Sequence, residues 1–404
     1  MIVNILLVSV LVSALAVIVY VVLLPVPEGL ENPWKLKMLT VTMKVVFFLG
    51  DYFPSTMAKY LDERSRPGMR EKGPNVPYTN TEFDGVLVRV FDDQKTGQIS
   101  TKRPAIVFYH GGGWRLGHID MHHAILSVFA RTLGVVIVNV EYRLAPKYVF
   151  PAAIDDCTTA TVAFLRRLEE FNVDPARVAI MGDSAGGNLA AAVAQRLTFD
   201  PKYEGLPKLK LQVMIYPALQ AFDFQLPSYQ QNGGYSTIVL DGYMMVEFWV
   251  IYLNNKPHLT SAMLQNKHTT QQAKMSPKIK KLLSHDYIPA EFKQSGYTAP
   301  PMVEGDQALY EELHSGLMNP DFAPLMREDL QGLPEAYILT AQFDVLRDDG
   351  IIYAKRLEEA GVKVTWKHYK KGFHGMFGHK DSPFTSPTGV EATEDLMEFI
   401  RKNL

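Results

Sequence analysis

Gly182-Asp183-Ser184-Ala185-Gly186 sets a serine between two glycines. A serine hydroxyl becomes an acyl-transfer nucleophile when a base takes its proton, an acid orients that base, and hydrogen-bond donors meet the charge developing on the attacked carbonyl oxygen. Each partner has a candidate here. His374, in Lys371-Gly372-Phe373-His374-Gly375, is the expected base, and Asp344, closing Thr340-Ala341-Gln342-Phe343-Asp344, the expected acid, in the chain order Ser, Asp, His. Asp348 and Asp349 are alternative acids, although carboxylates there would equally serve as helix N-terminal charges. His110-Gly111-Gly112-Gly113-Trp114 carries three glycines whose backbone N–H groups can face a ligand. Gly111 and Gly112, with Ala185 after the serine, are the expected oxyanion donors, and His110 and Gly113 complete the loop motif. As a phosphate loop the stretch is incomplete, lacking both a Lys-Ser/Thr ending and G-x-G-x-x-G spacing.

Five letters around a serine are a weak signal by themselves, because a tight strand-to-helix turn with a capping serine reads the same. The surrounding pattern decides. Residues 177–181 form an apolar run that reads as a strand, and 187–194 read as a helix, so the serine would sit on a sharp turn between them. Short β-branched runs at 85–91, 105–109, 135–140, 211–216, 336–340 and 362–366 extend the series, with helices expected at 153–170 and 350–360. Strands alternating with helices predict a largely parallel sheet covered on both faces, and both Asp344 and His374 fall at strand C-termini, where such sheets gather their sites.

From about residue 220 to 305 this rhythm stops, and an aromatic patch at 243–249 replaces any clean strand. A loop of that length without structure is uncommon inside a domain, so an inserted cap over the site is expected. Toward the N-terminus, residues 5–24 are apolar or small and Pro25 closes the run. Twenty helical residues span about 30 Å, which matches a bilayer core. A cleaved signal peptide is the rival, but the apolar run continues past the small residues at 13–16, which favours an uncleaved anchor. Lys35, Lys37 and Lys44 follow the run with no basic residue before it, so charge alone would leave the bulk of the chain in the cytosol. Residues 38–53 read as an amphipathic helix, lying on a membrane, covering a pocket or packed on the main domain, and 64–77 as a surface connection.

A chain of 404 residues, 47% hydrophobic, can bury a full core. Its net charge of −2 and lack of a basic block argue against nucleic acid as partner. The single cysteine, Cys157, excludes an internal disulfide and has acidic neighbours that disfavour a thiolate. His118 and His122 are four apart with His123 beside them, but no H-E-x-x-H pattern accompanies them, so no metal is expected. Asp183, next to the serine, is expected to hydrogen-bond in support of the site.

Taken together, these residues resemble the hormone-sensitive-lipase branch of the α/β-hydrolases from about residue 103 to the end. The marks are HGGGW at 110–114, EYRLAP at 141–146 with FPAA at 150–153, GDSAGG at 182–187, DVLRD at 344–348 and GFHG at 372–375. The N-terminal apolar run and the length look like the arylacetamide deacetylase and neutral cholesterol ester hydrolase group, and YPALQAF at 216–222 with QLPS at 225–228 like the deacetylase-like members. The resemblance implies an α/β-hydrolase fold: a mostly parallel central sheet with helices on both faces, a helical cap and an N-terminal transmembrane helix. It also implies a single-pass type II protein of the endoplasmic reticulum with a lumenal catalytic domain. The expected layout is a signal-anchor at 1–24, a linker, cap helix and first strands at 25–103, and a hydrolase domain at 104–404 with its cap insertion at about 220–305. The expected activity is serine-dependent hydrolysis of carboxylic esters, extending to amides, of apolar substrates, with no cofactor and with membrane lipid as the partner of the anchor. The alternative is a catalytically silent ligand-binding protein on the same scaffold, since a fold does not by itself establish activity. Loss of Ser184 or His374 would mark it, and both are present.

Overall fold

The computed structural model describes residues 19, 23–52, 76–93, 101–235, 239–293, 296–299, 304–378 and 386–404. Nearly all of the expected anchor at 5–24 and of the connection at 64–77 lies outside them; among the described residues no helix is long and apolar enough to cross a membrane. The chain runs α1 (Pro33–Tyr52), β1 (Tyr78–Phe83), β2 (Val86–Phe91), β3 (Arg103–Tyr109), α2 (His123–Leu133), β4 (Val136–Val140), α3 (Ala152–Leu165), β5 (Val173–Asp183), α4 (Ala185–Phe199) and β6 (Leu211–Ile215). Among the described residues six α-helices follow before the sheet resumes: α5 (Pro227–Asn232), α6 (Gly242–Leu253), α7 (Thr260–Leu264), α8 (Gln271–Met275), α9 (Pro277–Leu283) and α10 (Gln307–Leu317). Then come β7 (Glu335–Phe343), α11 (Arg347–Glu359), β8 (Val364–Phe373) and α12 (Pro387–Asn403).

The eight strands form one sheet in the order β1-β2-β4-β3-β5-β6-β7-β8, antiparallel at β1·β2·β4 and parallel from β4 onward. Side chains alternate across it as the pleat requires. In β3, Ala105, Val107 and Tyr109 join one apolar layer with α3, α4 and α11, while Ile106 and Phe108 join the other with α2 and α12. Strands buried on both faces carry no polar alternation, which is why β3, β4 and β6 appear in the sequence as largely apolar runs, Asn139 and Gln212 being the buried polar exceptions in β4 and β6. Leu36 of α1 joins the α2 and α12 layer, so the helix expected at 38–53 begins at Pro33 and packs on the domain.

Several boundaries differ from the sequence reading. The helix expected to run to residue 170 ends at Leu165; a 3₁₀ turn, Leu168–Phe171, follows, closed by Asn172 at φ 51°. β8 continues through Lys370 and Lys371 to Phe373, because an edge strand tolerates charge on its exposed side. Beyond the insertion expected at about 220–305, a further helix, α10, precedes β7 and packs its Gly316 against Leu253 of α6. β1 and β2 pair into the same sheet as the later strands.

Arg103 at the start of β3 holds the end of β2 by a bidentate pair with Asp92, at 2.7 and 3.1 Å, and donates to the Phe171 carbonyl at 3.0 Å. Both side chains are buried, 9% and 6% exposed, so removing one strands the charge of the other. Arg103→Ala should therefore cost about 3–5 kcal/mol, read as a lower urea midpoint for the full chain.

Candidate active site

Three backbones meet at the serine. A Cβ on Gly182 would stand 2.2 Å from the Gly186 carbonyl oxygen, and one on Gly186 would stand 1.9 Å from the Tyr109 carbonyl oxygen. Neither obstruction is a flexible side chain, so only glycine fits. The turn forces Ser184 to φ 56°, ψ −119°, a conformation that costs a non-glycine residue about 1–3 kcal/mol and persists only where the surroundings impose it. They do so here: the Ser184 N–H donates to the Ile215 carbonyl at 2.8 Å, pinning the turn to the end of β6.

Ser184, Asp344 and His374 come from the C-terminal ends of β5, β7 and β8 and converge. His374 Nε2 lies 2.9 Å from Ser184 Oγ, and His374 Nδ1 lies 2.8 Å from Asp344 Oδ2. The other Asp344 oxygen accepts the Leu346 N–H at 2.9 Å, and its side chain is fully buried. The imidazole also packs against the Tyr216 ring, centroids 4.6 Å apart, and Tyr216 itself sits at φ 35° just past β6. A bulky residue at positive φ is a backbone outlier, and it carried no sequence signal.

The alternative acids do other work. Asp348 accepts from the Ser228 N–H at 2.6 Å and from Arg347 at 2.7 Å; Asp349 accepts from the Leu219 N–H at 2.9 Å and from Gln220 Nε2 at 3.1 Å. Both brace the root of the cap. Burial pushes the Asp349 carboxyl up to about 8.

The loop after β3 departs from expectation at one donor. The Gly111 N–H, expected to meet an oxyanion, donates to Asp183 Oδ1 at 2.8 Å. A Cβ on Gly111 would lie 2.5 Å from that carboxylate, so the glycine is needed for the approach. The N–H groups of Gly112, Gly113 and Ala185 donate to no protein acceptor among the described residues, which leaves them for a ligand. Gly113 is thus placed like Gly112 and Ala185, while the Gly111 N–H is engaged by Asp183.

His110 is scaffold. Its ring stacks on Tyr142, centroids 4.3 Å apart, its Nδ1–H donates to the Gly111 carbonyl at 2.8 Å, and burial pushes its pKa down to about 4, which keeps it neutral. Tyr142 OH donates to the His110 carbonyl at 2.6 Å. The three neighbouring histidines part company: His122 Nε2 is 3.3 Å from Asp183, His123 Nδ1 is 3.2 Å from Arg89, and His118 Nδ1 accepts the Asp120 N–H at 3.2 Å. Cys157 is buried on α3, and burial raises its thiol well above the ordinary value, with Asp156 adding to the effect.

Beyond the glycine loop, the segment at 115–122 is tied to β4. Asn139 Nδ2 donates to the Ile119 carbonyl at 2.8 Å, and the Ile119 N–H donates to the Glu141 carboxylate. Burial raises Glu141 from 4.5 to about 7. An acid so raised keeps its proton in the folded chain at pH values where the unfolded chain has released it. Its contribution to stability therefore falls as pH rises from about 4.5 through about 7. Glu141→Gln should flatten that decline in melting midpoints followed between about pH 4 and pH 8.

A family model described as alpha/beta hydrolase fold matches residues 106–279 and 258–378. Neutral cholesterol ester hydrolase 1 of Bos taurus is 38% identical over 407 residues, covering 98% of each chain. Arylacetamide deacetylase of Bos taurus is 37% identical over 395 residues, 94% of this chain and 95% of its own. Among solved structures, a thermostable carboxylesterase cloned from a metagenomic library superposes with a TM-score of 0.61 at 27% identity, over 87% of this chain and 97% of that one. Because the family match runs from β3 through the cap and past His374, and the relatives carry the similarity over 94–98% of this chain, this chain belongs to the α/β-hydrolase family, in the group of neutral cholesterol ester hydrolase and arylacetamide deacetylase, and is a carboxylic-ester hydrolase.

Proposed function

We propose that the chain is a membrane-anchored serine hydrolase that cleaves carboxylic esters of apolar substrates through an acyl-enzyme at Ser184, and takes amides as a second class of bond. The observation that carries this reading is the continuous hydrogen-bonded line from Ser184 Oγ to His374 to Asp344, 2.9 and 2.8 Å. His374 Nε2 takes the serine proton as Oγ attacks the ester carbonyl carbon, and Asp344 holds Nδ1–H and stabilises the imidazolium. Charge moves onto the carbonyl oxygen, where the Gly112, Gly113 and Ala185 N–H groups would receive it; one such donor is worth about 3–4 kcal/mol. His374 then returns the proton to the leaving alcohol, or to the amine of an amide. Water, deprotonated by the same imidazole, releases the acid.

The apolar preference is supported by the aromatic and aliphatic side chains that α6 contributes to the core beside the glycine loop, and by the printed names of the relatives, a cholesterol ester hydrolase and an arylacetamide deacetylase. The apolar run at 5–24 supports an anchor, and the group resemblance supports placement in the endoplasmic reticulum with a lumenal catalytic domain.

Ser184→Ala should abolish labelling of the membrane fraction by a fluorophosphonate probe and lower p-nitrophenyl ester turnover by about 10⁴-fold or more. A folded wild-type chain that neither labels nor turns over would sink the hydrolase reading and favour a silent binding protein. For topology, a glycosylation acceptor appended after Leu404 should gain glycan in microsomes; an unmodified acceptor counts against a lumenal domain.

A further inference from the structure

The glycine loop is held from outside by the cap. A Cβ on Gly113 would stand 2.4 Å from the Phe248 ring of α6, so that ring lies directly on the loop backbone. One residue on, Trp114 sits at φ 56° with its indole fully buried. It packs against Trp249 at 4.4 Å between centroids and stacks on Tyr252 at 4.5 Å with the planes 4° apart. The Tyr252 carbonyl accepts the Phe150 N–H at 2.8 Å, fixing the end of α6 to the body. A tryptophan at positive φ is strained and stays there only while its neighbours leave no alternative, and two of those neighbours, Trp249 and Tyr252, belong to the cap helix whose Phe248 lies on Gly113.

We propose that Phe248 is a positioning residue of the ester hydrolysis: α6, seated through Phe248 on Gly113 and through its two other aromatics on Trp114, holds the Gly112 and Gly113 N–H groups toward the oxyanion, so that the donor pair is formed only while the cap is seated. The inference rests on the serine-hydrolase reading and adds to it a coupling between cap and chemistry. Phe248 acts on backbone and not on substrate, so its loss must be felt in the chemical step whatever acyl group is bound.

The test uses the full chain in its membrane fraction, with p-nitrophenyl acetate and p-nitrophenyl octanoate as short and long probes. Phe248→Ala should lower kcat about tenfold or more on both esters, with KM changed by less than about twofold, and slow fluorophosphonate labelling of Ser184 in proportion; Phe248→Leu should fall between Ala and wild type. Gly113→Ala, whose methyl meets the Phe248 ring, should lose about 10²-fold, and adding Phe248→Ala should recover part of that loss in kcat at an unchanged melting midpoint, which separates positioning from relief of a folding defect. An unchanged kcat on acetate with a shifted KM on octanoate would make Phe248 a pocket wall and overturn the proposal, as would a double variant no better than Gly113→Ala alone. A wild-type chain inactive on both esters overturns the underlying hydrolase reading, whereas an active wild type with an unaffected Phe248→Ala overturns the positioning role alone.

Discussion

The approach of Gly186 to the Tyr109 carbonyl is the constraint on which the rest depends. No other residue permits that spacing, because the would-be contact at 1.9 Å is with backbone held in the middle of a sheet. The close approach lets α4 start immediately after β5, and that sharp start puts Ser184 at its positive φ with the hydroxyl aimed along the ends of the strands. Asp344 and His374 need only follow their own strands outward to reach it. Parallel neighbours deliver three chain-distant residues to one end of the sheet, with a bulge between the Ala341–Tyr369 and Phe343–Phe373 pairs setting Asp344 beside His374.

The cap is attached by a different kind of interaction. Where the body is held by apolar layers, the root of the cap is held by aspartate side chains that accept backbone N–H groups: Asp348 takes Ser228, Asp349 takes Leu219, and the partly exposed Asp223 takes Gln225 at 2.7 Å while His285 reaches its other oxygen at 3.0 Å. The His285 side chain, with Asn266 and the Gln225 N–H, keeps Asp223 ionised below its usual range against the opposing effect of burial. Directional bonds of this sort fix where an insertion leaves the sheet, and the aromatic contacts of α6 then fix where it lands.

Much of the site was legible because its residues admit no substitutes. A nucleophilic serine in a turn this tight demands the flanking glycines, and the β-branched runs around it announce strands buried on both faces. What stayed hidden depended on contacts between distant parts of the chain. The Gly111 N–H is taken by a carboxylate 72 residues away, and nothing in HGGGW says which of its amides is already engaged. β1 is a polar edge strand, Tyr-Thr-Asn-Thr-Glu-Phe, with three of its six residues exposed, so no apolar run marks it. Gly305, at φ 76° with its Cα close against the Thr269 carbonyl, precedes one more helix, α10, which the sequence reading did not mark.

Asp183 has a further consequence. It is the covalent neighbour of Ser184, and its side chain grips the loop that presents the oxyanion donors. Any sliding of β5 relative to β3 therefore carries attacker and cradle together, so that thermal displacement appears as common-mode motion and cancels in the distance that matters. The fold guards a separation between two groups more tightly than it guards the position of either.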